Sequence, residues 1–242
     1  MFNLAAAIGK FKGPREKLFD LKFDPNGNTL IGASKSEIYI IDEGRIKKAT
    51  GWGPKTSNKQ ASMCVGFTAN EIIVGCLDGK ILRLKGGSIS FALTGHTGCV
   101  NTIWTRANNA GFISGGSDGK VIVWDNAFTK SQLIDITTFK EIPIMNPRIR
   151  AVCESPDGTK IIIGTRSSNI IEIEKATSAR KSVNNGHFDK ELWGLAVIPK
   201  TDEVVTCGED FMLAKWDLKN RRLNRLKTLP FMAKVCDASD CY

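Results

Sequence analysis

Two sets of side chains in this sequence carry the residue types of a hydrolytic triad. His96 is followed by Ser114 and Asp118, and His187 by Thr206 and Asp210. A hydroxyl nucleophile, an imidazole base and a carboxylate that orients the base is the constellation used for acyl transfer. In both sets a tryptophan, Trp124 or Trp216, follows the hydroxyl at the same interval. Catalysis needs such a centre once, whereas this set recurs, as a structural motif would. Buried imidazole, carboxylate, hydroxyl and indole N–H groups can satisfy one another's hydrogen bonds, and each would be costly to bury alone. Both histidines are therefore read as structural. No catalytic residue and no enzyme activity are expected.

Other chemistries find little footing. The seven cysteines (Cys64, Cys76, Cys99, Cys153, Cys207, Cys236 and Cys241) include no C-x-x-C pair, and only two histidines accompany them. A Cys/His zinc cluster at ligand spacing cannot be written, so reduced, mostly buried thiols are expected and no metal. There is no G-x-x-x-x-G-K-[ST] phosphate loop, and no cofactor is expected.

The elements that would position these residues form a repeat. Phe112-Ile-Ser-Gly-Gly-Ser-Asp-Gly-Lys-Val-Ile-Val-Trp-Asp125 reads as a strand, a tight turn at Asp118-Gly119 and a second alternating strand. Segments Thr29–Asp42, Ile72–Lys85, Ile161–Glu174 and Val204–Asp217 fit it without a gap. Their turn positions (Lys35, Asp78, Asp118, Ser167 and Asp210) are 43, 40, 49 and 43 residues apart. That is the period of a four-stranded propeller blade. An upstream strand precedes each unit, as at Leu18–Phe23, Met63–Phe67, Val100–Trp104, Ile149–Cys153 and Leu192–Ile198. An outer strand follows, as at Gln132–Ile136 and Arg222–Leu226. The predicted class is all-β, a β-propeller of about five blades plus part of a sixth. Blade cores fall at about 18–52, 62–94, 95–140, 148–185 and 186–229, with 230–242 opening the next.

Gly95-His96 with Ser114, Asp118 and Trp124, and Gly186-His187 with Thr206, Asp210 and Trp216, resemble WD40 repeats. In that family these four residues form a hydrogen-bonded chain between blade strands. The other three units have Ile41, Leu84 and Ile173 where the tryptophan would stand, and read as degenerate blades. A narrower resemblance lies in Gly186-His-Phe-Asp-Lys-Glu-Leu-Trp-Gly-Leu-Ala196, and in Arg148-Ile-Arg-Ala-Val-Cys153 followed by Ile163-Gly-Thr-Arg166, Asn169 and Glu172. With Ile46–Trp52 leading into Cys64-Val-Gly-Phe67, these are similar to the echinoderm microtubule-associated protein-like family, from about Leu18 to the end of the chain. The resemblance implies tubulin or microtubules as partner, and a cytoplasmic, cytoskeletal or ciliary axonemal setting. It also predicts that this chain is a piece of a larger assembly, since the seven blades of a closed ring need more residues than these.

Net charge is +9, which favours acidic partners. Candidate contact residues are Lys219, Arg221, Arg222, Arg225 and Lys227, then Arg45, Lys47 and Lys48, with a further group at Lys10, Lys12, Arg15 and Lys17. Trp52, beside Gly51, Gly53 and Pro54, is a candidate anchor in a loop, whereas Trp104, Trp124, Trp193 and Trp216 are assigned to blade packing. No segment is long and apolar enough for a membrane span, and Leu4–Ile8 is too short for a secretory leader. A non-catalytic interaction platform is therefore expected, with other proteins as partners, no membrane, and nucleic acid disfavoured. The alternatives are a general WD40 scaffold in another complex and an RNA-associated propeller.

Overall fold

The computed structural model describes residues 18–24, 27–34, 37–42, 45–48, 62–68, 71–106, 110–140, 142, 144, 146–183, 187 and 191–236. Among these residues twenty strands form five four-stranded antiparallel sheets, each a meander in chain order. Blade 1 holds β1 (Leu18–Phe23), β2 (Thr29–Ser34), β3 (Ile38–Asp42) and β4 (Arg45–Lys48). Blade 2 holds β5 (Ser62–Thr68), β6 (Glu71–Cys76), β7 (Lys80–Lys85) and β8 (Ser88–Thr94). Blade 3 has β9 (Val100–Thr105), β10 (Phe112–Gly116), β11 (Lys120–Trp124) and β12 (Lys130–Asp135). Blade 4 has β13 (Ile149–Glu154), β14 (Lys160–Thr165), β15 (Ile170–Glu174) and β16 (Arg180–Ser182). Blade 5 has β17 (Leu192–Val197), β18 (Glu203–Gly208), β19 (Met212–Asp217) and β20 (Arg222–Thr228). Residues 230–236, expected to open another blade, form no strand; Ala233 N–H donates to Gly208 O, and Cys236 lies against Val205 O.

The core lies between blades rather than at a centre. One apolar layer joins Ile31 and Ile38 of blade 1 to Val65, Val74 and Leu82 of blade 2. A second joins Ile73 and Ile81 to Val100, Ile103, Phe112 and Trp124. A third joins Ile113, Val121 and Val123 to Ile149, Val152 and Ile163. Burying each such side chain stabilises the fold by about 1.5–3 kcal/mol. The middle strands of blades 2 and 3 carry apolar residues on both faces because both faces are covered.

The repeated glycine makes close blade contact practicable. A Cβ on Gly75 would sit 2.7 Å from Val100 Cγ1, and one on Gly115 would sit 2.5 Å from Ile149 Cγ2. Each of these inner strands thus lays its first residue on a glycine of the blade before it. Blade 5 departs from this rule. Gly164 meets only Ala151, and Leu192, Leu195 and Val197 of β17, at the positions of Ile149, Val152 and Glu154, are exposed.

Every inner strand also carries a bulge at its second residue. The register shifts fall between Leu18/Asp20, Ser62/Cys64, Ile149/Ala151 and Leu192/Gly194, and in blade 3 between the partners of Thr102 and Val100. The extra residues are Phe19, Met63, Asn101, Arg150 and Trp193. A bulge drops one residue from the ladder and re-aims its side chain.

Candidate functional site

The turn between β10 and β11 brings Asp118 under the residues that precede β9. His96 Nδ1 lies 3.0 Å from Asp118 Oδ1, and His96 Nε2 lies 2.8 Å from Ser114 Oγ. Trp124 Nε1 donates to the same hydroxyl at 2.8 Å. The Asp118 carboxylate also accepts from the Thr97 and Lys120 backbone N–H groups. Burial opposes ionisation of Asp118, but the His96 hydrogen bond and those two N–H groups overcome it and hold its carboxyl below the usual range. An indole only donates and an ionised carboxylate only accepts. The chain therefore runs from Trp124 N–H to Ser114 oxygen, from the Ser114 proton to His96 Nε2, and from His96 Nδ1–H to Asp118.

Blade 5 repeats the arrangement at matching distances. His187 Nδ1 is 2.9 Å from Asp210 Oδ2, His187 Nε2 is 2.8 Å from Thr206 Oγ1, and Trp216 Nε1 donates to Thr206 Oγ1 at 2.7 Å. What differs is cover. The His96 side chain is fully buried, whereas His187 is 13% exposed and Trp216 half-buried. A cleft of about 590 Å³ opens beside them, lined by Leu192, Val204 and Trp216, with Arg221 and Arg222 at its edge. In blade 3 the equivalent indole is covered: Trp124 stacks on Phe112, and Phe112 meets Phe128 edge-on.

A hydroxyl engaged by both an imidazole and an indole, and buried as Ser114 is, presents no open face to a substrate carbonyl. Among the described residues no group of three or more His, Cys, Asp or Glu is arranged to hold a metal. None of their helices is long and apolar enough to cross a membrane.

The basic candidates scatter. Lys219, Arg221, Arg222, Arg225 and Lys227 are exposed on β20 and the turn before it, and among the described residues only Arg222 of these reaches a carboxylate, Asp217 at 3.7 Å. Arg45, Lys47 and Lys48 lie on β4, with side chains outside the described set. Trp52 and the group from Lys10 to Lys17 lie outside the described residues altogether. Trp193, assigned from sequence to blade packing, is instead 50% exposed as the bulged residue of β17, with its indole N–H on Glu209 and Lys234 over its ring.

Several residues gained importance only with the structure. Asn101 Nδ2 donates to Ser117 Oγ and to Ile149 O, tying blade 3 to blade 4. Buried Glu154 takes Arg106 Nε at 3.1 Å and Lys175 Nζ at 2.6 Å, latching the same two blades at their other end. In blade 4, Thr165, Ser167 and Asn169 replace the tetrad with a buried hydrogen-bonded cluster. The polar residues Ser167 and Asn169 at the turn position were the available signal for the last of these. For the others the partner lies in a different blade, and spacing alone cannot pair them.

The WD domain, G-beta repeat family model matches residues 87–125, the stretch that holds the blade 3 tetrad. Echinoderm microtubule-associated protein-like 1 of Rattus norvegicus is 29% identical over 222 residues, covering 89% of this chain and 26% of the relative. The ciliary WD repeat-containing protein ctxp80 of Euplotoides octocarinatus is 28% identical over 237 residues, covering 95% of this chain and 30% of its own length. The chain thus spans about a quarter to a third of the curated relatives it matches. In fold it is similar to the WD40 β-propeller domain of Doa1, with a TM-score of 0.53 at 19% identity over 88% of this chain and 69% of that one. The RRP9 WD40 repeats give a TM-score of 0.59 at 15% identity over 90% and 65%. Sheet topology, tetrad geometry and these likenesses agree: the chain has the WD40-type β-propeller fold and is similar over most of its length to the echinoderm microtubule-associated protein-like proteins.

Proposed function

We propose that the chain is a non-catalytic interaction platform that binds tubulin or the microtubule lattice, in the cytoplasm or at a ciliary axoneme. The observation that carries this reading is kinship over most of the chain with proteins named for microtubule association, one of them ciliary. A net charge of +9 supports an acidic partner. Cations exposed without a carboxylate partner among the described residues leave that charge available to it. Absence of catalysis is supported by the engagement of both tetrad hydroxyls.

Cosedimentation of the purified chain with taxane-stabilised microtubules tests the reading. Binding that is strong at low salt and weakens as salt rises is expected. A chain that stays in the supernatant at low salt refutes it. Retention of a protein complex lacking tubulin from cell extract would then favour the general scaffold.

A further inference from the structure

On the flanks of the blades, cations are paired across strands: Arg83 with Glu71, Lys160 with Glu172, Lys215 with Glu203. Blade 4 breaks that habit at its inner, upper end. Arg150 is the bulged residue of β13 and is exposed, and Arg148 two residues earlier is exposed too. Exposed Arg166 joins them, because its backbone N–H donates to Arg148 O at 2.8 Å. Among the described residues none of the three has an ion-pair partner.

Their backbone is held firmly. Ser167 Oγ donates to Asn169 Oδ1 at 2.8 Å, Thr165 Oγ1 donates to the same oxygen at 3.1 Å, and Asn169 N–H returns to Thr165 Oγ1 at 3.1 Å. Asn146 N–H donates to Ser167 Oγ at 3.1 Å, which anchors the approach to Arg148. Asn101 of blade 3 clamps Ile149 O, directly before Arg150. Arg150 also reaches towards blade 3: burial pushes the Cys99 thiol up, and the Arg150 charge draws it part of the way back. Three exposed arginines without an ion-pair partner among the described residues thus stand on neighbouring positions of a fixed backbone, where a bound anion would supply the missing counter-charge.

We propose that Arg148, Arg150 and Arg166 form a carboxylate-binding site for an acidic peptide segment at the inner edge of blade 4. A guanidinium matches a carboxylate with two parallel N–H donors, so three arginines on neighbouring backbone positions suit successive glutamate or aspartate side chains. A single-stranded nucleic acid calls instead for a basic groove interleaved with open aromatic faces. The exposed aromatic of the adjoining blade, Trp193, is already engaged by Glu209 and Lys234. The site rests on the interaction-platform reading for its protein partner, and it places recognition at the inner edge rather than along β20.

The test is fluorescence anisotropy of a labelled oligoglutamate peptide with the whole chain at ~50 mM salt. Saturable binding is expected. R148A/R150A/R166A should weaken it at least about tenfold, and the triple lysine variant by less, because charge remains while the two-donor geometry is lost. K219A/R221A/R225A should stay within about twofold. Circular dichroism melts check the fold; should the triple alanine variant melt early, Arg150→Glu alone must abolish most of the binding. The site is overturned if the alanine triple binds as the parent does, if the β20 variant carries the loss, or if single-stranded RNA displaces the peptide at lower concentration than unlabelled peptide. Microtubule cosedimentation separates the two ideas. A chain that binds oligoglutamate but not microtubules sinks the tubulin reading alone, and microtubule binding indifferent to the alanine triple sinks the site alone.

Discussion

Removing one hydroxyl from each tetrad, by Ser114→Ala in blade 3 and Thr206→Val in blade 5, perturbs the same bonding pattern under different cover. In blade 3 the loss strands two groups at once, the Trp124 indole N–H and His96 Nε2. Ser114 and the His96 side chain are fully buried, and Trp124 is 3% exposed, so water reaches neither orphan. A buried unsatisfied polar group costs about 1–3 kcal/mol, so the pair should cost about 2–6 kcal/mol. In blade 5 the stranded groups face the cleft beside Trp216, where water can replace the hydroxyl, and the loss should be about 1 kcal/mol. Thr206→Val keeps the side-chain volume, so no packing defect obscures the comparison.

Urea unfolding followed by far-UV circular dichroism measures the difference. With a slope of ~2 kcal/mol/M, Ser114→Ala should lower the midpoint by about 1–3 M and Thr206→Val by about 0.5 M. Ser114→Thr, which keeps the hydroxyl, should recover most of the blade 3 loss. An equal or larger loss for Thr206→Val would refute the reasoning, because burial rather than bond count is what separates the two sites.

Gly75→Ala places a methyl 2.5 Å from Cys64 Sγ and 2.7 Å from Val100 Cγ1 and should cost about 1–3 kcal/mol; adding Val100→Ala should cost less than the sum of the single changes in a double-mutant cycle, and strict additivity would assign the whole clash to Cys64 of the same blade. Thiol alkylation read by mass spectrometry at neutral pH should spare Cys64 and Cys76, since burial pushes the Cys64 thiol well up and the Cys76 thiol to about 12, and should mark the half-buried Cys153 before either. Asp157 is drawn down to about 2 by the Ser155 hydroxyl and then the Thr159 N–H and hydroxyl. A depressed carboxyl stabilises the fold above its unfolded value of about 3.9 and loses that contribution as pH falls through its folded value. Asp157→Asn should therefore lower stability at about pH 6 and flatten the acid-side loss between about pH 4 and 2, and an unchanged acid limb would count against it.

The strands and the blade 3 and blade 5 tetrads were legible because their information is local. An upstream strand such as Leu18–Phe23 shows as alternation, and a turn such as Asp118-Gly119 shows as residue type. His96, Ser114, Asp118 and Trp124 recur at fixed offsets, so their meeting in space follows once the period is seen. The Glu154 latch was not legible, because Arg106 and Lys175 come from opposite sides of it in the chain. Trp193 was misplaced for a related reason. An aromatic in a strand of alternating pattern looks like core until the extra residue shifts it out of step, and a bulge is visible only against the partner strand.

The same bulge in all five inner strands divides labour within each blade. The middle strands of blades 2 and 3 must keep apolar residues on both faces, since each is sandwiched between blades, and they tolerate little variation in chemistry. The bulged position is released from that demand, because its side chain leaves the ladder without disturbing the pairing on either side. Phe19, Met63, Asn101, Arg150 and Trp193 accordingly share a backbone position and almost no chemistry. Asn101 uses the freedom to fasten the next blade, whereas Arg150 uses it to present an exposed charge with no ion-pair partner among the described residues. A position that is geometrically constant and chemically free is where a repeat fold can acquire specificity without loss of stability. On that ground Arg150→Ala should leave the urea midpoint unchanged while it weakens oligoglutamate binding, and a variant that lost both together would show that the bulge residue serves the fold after all.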